Sequence, residues 1–419
     1  MAPVGSDAFL TLGLPAGCIV GIDGASLTTS APSFPGFRDL VAGAHLVWAA
    51  ADAESSTRSG YWIATPPRAA HSHGAVYVKQ WHPRYEELGE PPDLDQEWRL
   101  RAELGRTYND LTSAAELLEG SDRRDDDTNA DAYLCRGPSL AALWCRMTEA
   151  IRPELLARMT GSTVGASTGW KVTTTDDVQG QEPDYPFPSG DGNRAALRSP
   201  LRFTFSMNER LISPTAVGEQ RTQQALDPSD FVIEKLERLT TDGIAGVDTD
   251  LVGELSVAFL TGTHLGNMSA MEQWFYYLND VVFRCYKLAA ARSKLVCDLL
   301  GAVTAQLTYE ERALGGDSVL DQFEARARVL QRRLATYKAR LDGNGGGFGD
   351  PLARRAVLAA FAALETLLRA RRGWDLGANY VRAGRYTLED GEEVDLELSD
   401  FEAEDERGEF APTVVDAGG

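Results

Sequence analysis

The sequence predicts an α+β protein: a β-rich, sandwich-like N-terminal domain with packed helices, then an all-helical domain and an extended acidic C-terminal tail. Three observations carry that reading. Through residue 82, short β-type runs are broken by Gly and Pro, and from Asp95 they give way to apolar residues at helical spacing. Residues 161–202 are rich in Gly, Ser, Thr, Pro and Asp with no sustained apolar period, a composition that buries too little surface to offset chain entropy. Residues 389–409 hold twelve carboxylates against one basic residue, Arg407. The expected division is therefore a β-rich domain over 1–160, a flexible linker over 161–202, a helical domain over 203–373 and a tail over 374–419, which suits a chain of 419 residues.

The elements follow in order. Residues 9–14, 18–23, 45–50, 61–65 and 75–81 read as strands of a small antiparallel sheet or sandwich. Trp98, Leu100, Leu104, Tyr108, Leu111 and Leu117, then Leu140, Leu143, Trp144, Met147 and Ile151, fall at helical spacing and predict helices packed on that sheet. In the second domain Ser269 and Glu272 make a capping-box pattern. The residues that follow on one face are Met271, Trp274, Phe275, Leu278, Val281, Val282, Cys285 and Leu288, which places that helix in the core. Leu320, Phe323, Ala327, Leu330, Leu334, Tyr337 and Leu341 alternate spacings of three and four, a seam suited to antiparallel packing. GNGGGFGDP then breaks the chain before a final helix over 352–372.

Composition narrows the function. A net charge of -21 argues against a broad grip on phosphate backbones. Five widely spaced cysteines, with no C-x-x-C pair, read as reduced and mostly buried thiols. With no basic leader and no run of eighteen apolar residues, a soluble intracellular protein is expected.

Four motifs bear on chemistry. GASTG at 165–169 matches the nucleophile elbow of serine hydrolases and would make Ser167 a nucleophile. It lies in the low-complexity stretch with no strand before it and no helix after it, so a chance match is the better account. His71, His73 and His82 are the histidine cluster, but the proline-bounded text around them reads as a hairpin loop, and solvated histidines are expected rather than a metal site. His45 and His264 stand alone and read as packing or cap residues. Arg326, Arg328, Arg332, Arg333, Lys338 and Arg340 make a basic helix face, with Arg369, Arg371 and Arg372 ending the next helix. Without interleaved aromatics this is a poor RNA stripe; it reads as a solvated face, or as a surface for an acidic partner or the protein's own tail. GNGGGFG lacks the residues of a phosphate loop. No metal or cofactor is expected.

Two stretches resemble a known family. Residues 12–48 carry Leu-Pro-x-Gly, Gly-Ile-Asp, Phe-x-Gly-Phe and Gly-x-His, and residues 253–274 read GELSVAFLTGTHLGNMSAMEQW. Together they resemble the Aar-two (AAR2) family of splicing factors, with Leu27 standing where an aromatic residue is expected. The resemblance implies a VHS-like helical bundle for the second domain and a non-enzymatic role in assembling the U5 small nuclear ribonucleoprotein, in cytoplasm and nucleus. It also implies a partner, the RNase H-like and Jab/MPN-like domains of the large U5 scaffold protein, with the RNA helicase held off until maturation.

The tail supplies the expected contact. Phe410, Thr413, Val414 and Val415 form an apolar, β-prone stub suited to adding as a strand to a partner's sheet edge, and Pro412 is compatible with an edge strand. Val394, Leu396 and Leu398 alternate with acids, a pattern that suits either a second strand or a stretch that keeps the tail extended and soluble. Ser199 and Ser213, each before a proline, are candidate phosphorylation sites for release.

Overall fold

The computed structural model describes residues 7–30, 33–53, 55, 57–67, 74–91, 94–124, 138–162, 169–179, 200–313, 318–343, 347–377, 383–387 and 393–397. Its first half is built on β1 (Asp7–Leu12), β2 (Ile19–Ile22), β3 (Ala25–Thr28), β4 (Gly36–Leu40), β5 (Gly43–Ala50), β6 (Arg58–Thr65), β7 (Val76–His82), β8 (Glu87–Gly89), β9 (Thr112–Ser113) and β10 (Trp170–Thr173). One sheet has the order β8-β7-β1-β4-β9 and the other β10-β6-β5-β2-β3. The expected antiparallel arrangement holds in the second sheet only. In the first, β1 runs parallel to β7 and β4 parallel to β9, because the chain between β1 and β7 crosses over to build most of the second sheet before returning.

β5 shows why the sandwich forms. Its sequence GAHLVWAA sends Ala44, Leu46, Trp48 and Ala50 to one core and Val47 and Ala49 to another, as a period of two requires. Between the sheets lie Phe9, Val20, Phe37, Val47, Tyr61, Ile63 and Trp81. Strands β3 and β4 carry no sustained β-type run, because ASLT and GFRDL are short and mix apolar with polar residues.

Helices α1 (Leu94–Thr107), α2 (Ala114–Arg124), α3 (Leu140–Thr148) and α4 (Pro153–Thr160) complete the first half. α1 covers the outer face of the first sheet through Leu104, while Trp98, counted in the helical period, is 70% exposed. The expected flexible linker is corrected in part: Trp170–Thr173 forms strand β10 against β6, and Trp170, Val172, Val178 and Leu201 are buried. Four alternating residues, two of them large and apolar, suffice for an edge strand even within a Gly/Ser/Thr-rich stretch.

The second half comprises α5 (Gly218–Leu226), α6 (Ser229–Thr241), α7 (Val247–Leu265), α8 (Met268–Tyr276), α9 (Leu288–Ala291), α10 (Ser293–Ala313), α11 (Val319–Gln322), α12 (Glu324–Asp342) and α13 (Pro351–Arg372). α7 is buried all round, so its residues carry no amphipathic stripe. α8 is not capped by the Ser269 box. Asn267 is its N-cap and accepts from the Ala270 N–H at 2.7 Å. The face from Met271 to Leu288 is buried as expected but is not one helix: Tyr277–Val282 widens into a π-helical turn and α9 follows separately. α12 buries Ala327, Leu330, Leu334, Tyr337 and Leu341 of the predicted seam, while Leu320 belongs to the separate α11 and Phe323 lies at the break between the two helices. Beyond α13, β11 (Ala383–Thr387) and β12 (Glu393–Glu397) pair as an antiparallel hairpin, so the alternating acidic segment does form a strand.

Candidate partner-binding site and the seam behind it

The outer face of the second sheet and the helices of the second half share one apolar core. Leu46, Trp48, Trp62 and Trp170 meet Trp144, Leu255, Phe259 and Leu300 in a single cluster. Polar contacts fix the register of that seam. Trp62 Nε1 donates to Thr261 Oγ1 at 3.2 Å, Trp144 Nε1 to the Ala44 carbonyl at 2.9 Å, and Arg58 Nη1 to the His264 carbonyl at 2.7 Å. Tyr309 is fully buried; its hydroxyl, held protonated by burial, donates to His264 Nε2 at 2.8 Å. Burial first, and then the Arg58 charge, push His264 down to about 3, so the imidazole is neutral and can accept.

The residues of the two signature stretches converge here. From Gly-Ile-Asp and Gly-x-His, the fold brings Asp23 and His45 together at 2.8 Å between Oδ2 and Nδ1. His45 Nε2 lies 2.8 Å from the Val41 carbonyl, so both ring nitrogens face acceptors and the cationic ring can donate to each. Burial pushes the ring down, but the Asp23 carboxylate outweighs it and the net direction is up. Asp23 Oδ1 also accepts from the Leu46 N–H at 3.2 Å. His45 is thus an ion-pair member rather than an isolated packing residue. The signal for it lay in the motif, but nothing in the sequence pairs two residues 22 positions apart.

Gly24, next in the turn, is a socket. A side chain there would meet Tyr309 Oη at 2.7 Å and its Cε2 at 2.9 Å. Gly24→Ala is therefore expected to cost about 1–3 kcal/mol by overpacking. In a chain already carrying Tyr309→Leu the same change should cost much less; additive urea-denaturation energies would remove the socket from the account.

The helical signature behaves alike. Glu254 is wholly buried and accepts from Arg158 Nη2 at 2.6 Å, from the Thr204 N–H at 2.8 Å, from Thr204 Oγ1 at 2.6 Å and from the Tyr277 hydroxyl. Arg152 donates to Asp250 Oδ1 at 2.6 Å one turn away. Asn267 Nδ2 donates to the Thr173 and Asp176 carbonyls at 2.8 and 2.9 Å, tying β10 to α8. Gln273 Nε2 donates to the Phe205 carbonyl at 2.6 Å, and Trp274 Nε1 to Gln306 Oε1 at 2.8 Å. The contacts of Arg158, Arg152 and Asn267 cross between the two halves, and the others fix segments within the second; none of these pairings is predicted from sequence because the partners are distant in the chain.

Of the predicted site residues, Phe410, Thr413, Val414 and Val415 lie outside the described residues, as do Ser199, Ser167, His71 and His73. Ser213 is described. It is half-buried in the turn before α5, its N–H donating to Gln224 Oε1 at 2.9 Å and its hydroxyl 2.8 Å from Thr215 Oγ1. His82 ends β7 with its ring against Gly89. The C-terminal arginines of α13 are engaged: Arg369 with Glu365 at 3.0 Å, Arg371 with Glu311 and Arg372 with Asp321 at 2.6 Å. Among the described residues no helix is long and apolar enough to cross a membrane, and no group of three His, Cys, Asp or Glu side chains is placed to hold a metal.

Comparison with known families gives two matches. Residues 5–161 match the AAR2 N-terminal domain and residues 203–377 match the AAR2 C-terminal repeat region. No curated protein matches the chain.

Proposed function

The chain belongs to the AAR2 family, non-enzymatic factors with a splicing-related role in U5 snRNP assembly, and from that premise we propose that it is a placeholder on the large U5 scaffold protein. In this reading it binds the RNase H-like and Jab/MPN-like domains of that protein, in cytoplasm and nucleus, and holds off the RNA helicase until maturation. The observation that carries the reading is the match of both domains in the family's order. The two signature stretches support it, since their polar residues lock the halves into one body that can present surfaces in fixed relation.

The terminal stub is the proposed contact. Phe410, Thr413, Val414 and Val415 flank Pro412 in an apolar, β-prone run that suits strand addition, with backbone hydrogen bonds giving affinity and the side chains that fall on the partner-facing side giving selectivity. Release by phosphorylation at Ser199 or Ser213 follows the same reading. At Ser213 a phosphate would bring about two negative charges to the turn before α5 and displace the Thr215 contact.

Calorimetry against the two scaffold domains tests both ideas. Full-length protein should bind, and a chain ending at Glu409 should bind at least tenfold more weakly. Aspartate at both Ser199 and Ser213 should weaken binding further. Binding unchanged by truncation would move the contact to the folded halves, and absence of binding by the full chain would overturn the placeholder role.

A further inference from the structure

On α12, Arg326, Arg333 and Arg340 recur every seven residues, so they lie along one side of the helix, drifting about 20° and rising roughly 10 Å at each step. None of the three makes an ion pair or hydrogen bond among the described residues. Their neighbours differ in this: Arg328 is paired with Glu324 and Lys338 with Glu365, both at 2.6 Å. Tyr286 sits on this side. Its ring lies 6.2 Å from that of Tyr337, which falls between Arg333 and Arg340 in the helix, and the Arg340 guanidinium stands 5.2 Å over it. Arg284 is close by but is engaged by Asp280 at 2.9 Å. Asp227 is the acid nearest in effect to Tyr286, and it is held by Ser229. Tyr286 is half-buried and its hydroxyl has no hydrogen-bond partner among the described residues.

On a chain of net charge -21, a row of guanidiniums with no ion pair among the described residues is a ready receiver for an anion. Guanidiniums bind carboxylates through paired N–H donors. Successive arginines are separated by about the length of three extended residues. An extended acidic segment fits this spacing.

We propose that this stripe, with Tyr286, is the docking strip for the acidic segment 399–409 of the chain's own tail. That segment carries six carboxylates and one basic residue, Arg407. Tethering argues for the chain itself over a separate acidic protein. The described body ends at Gly377, where a side chain would stand 3.6 Å from Lys338 Nζ of the same helix α12. The β11–β12 hairpin then returns the chain, with Glu397 opposite Ala383, so only about six residues of reach, roughly 20 Å, separate Gly377 from the segment. α12 has 19 residues and is roughly 28 Å long. A short tether gives an effective concentration on the order of millimolar, which an outside acidic peptide must exceed.

The test uses the full chain without any partner. Spin labels attached by bioorthogonal chemistry at Thr336, exposed on α12, and at Ser399 report the distance between helix and tail. A short-distance population is expected. It should be lost in the Arg326→Glu, Arg333→Glu, Arg340→Glu variant and at about 1 M salt, where charges are screened beyond about 3 Å. The corresponding three-lysine variant should retain part of it, and Arg326→Glu alone, at an exposed position, should weaken it without a folding defect. A broad distribution in the unaltered chain, or one indifferent to charge reversal, overturns the proposal. Because no scaffold protein is present, this outcome and the failure of the placeholder role are separately readable.

Discussion

A Glu254→Leu chain should lose about 3–5 kcal/mol of stability, a large share of the 5–15 kcal/mol typical of a native protein. Glu254 gathers four donors from three places: Arg158 on α4, Thr204 in the segment before α5, and Tyr277 in the π-helical turn. Leucine fills the space but accepts nothing. Arg158 is a third exposed and lies 3.5 Å from Asp250, so it can turn toward water or that carboxylate and contributes the smaller part of the loss. The fully buried Tyr277 hydroxyl loses the acceptor for its proton, and the half-buried Thr204 N–H loses its partner. Glu254→Gln keeps an acceptor and should cost about 2 kcal/mol. Urea titration with an unchanged slope checks both values; a leucine variant within about 1 kcal/mol of the parent would mean that the cluster is not holding the halves together.

That cluster also shows where sequence reasoning stops. The face of α12 and the paired faces of β5 were legible because burial imposes a period on neighbouring residues. Glu254 and Arg158 are 96 residues apart and belong to elements whose docking no local pattern encodes. The π-helical turn at Tyr277–Val282 was invisible for a related reason: its apolar residues keep a helical-looking spacing while the backbone widens. β10 was hidden by composition, since the residues around Trp170 and Val172 look like linker. The stub, the strongest functional signal in the sequence, lies outside the described residues.

The signature stretches thus mean something different from a contact map. Asp23, Gly24, His45, Glu254, His264, Asn267 and Gln273 face inward, toward one another's elements. An assembly factor whose halves are locked this way can present its surfaces as one rigid unit, which lowers the entropy lost on binding a large partner. Of the basic residues of α12 and α13, Lys338, Arg369, Arg371 and Arg372 pair within the body, whereas Arg326, Arg333 and Arg340 have no ion pair among the described residues.

Stability should pass through a maximum near pH 6.5, set by two buried histidines that pull in opposite directions. His264 is held at about 3 when folded, far below the ordinary histidine value of about 6.5. Its contribution is complete above 6.5 and is lost as pH falls, because the unfolded chain takes up a proton that the folded one refuses. At about pH 5 the loss amounts to roughly 2 kcal/mol. His45 is raised when folded, burial opposing and the Asp23 carboxylate prevailing. Its contribution is complete below 6.5 and is lost as pH rises through the folded value. Urea midpoints at about pH 5, 6.5 and 8.5 should therefore rise and then fall. Carboxylates add to the acid limb, so the variants carry the test: His264→Gln should flatten the acid limb, and His45→Gln the alkaline one. An alkaline limb unchanged by His45→Gln would mean that the ring facing Asp23 and the Val41 carbonyl is neutral, with a proton on one nitrogen only.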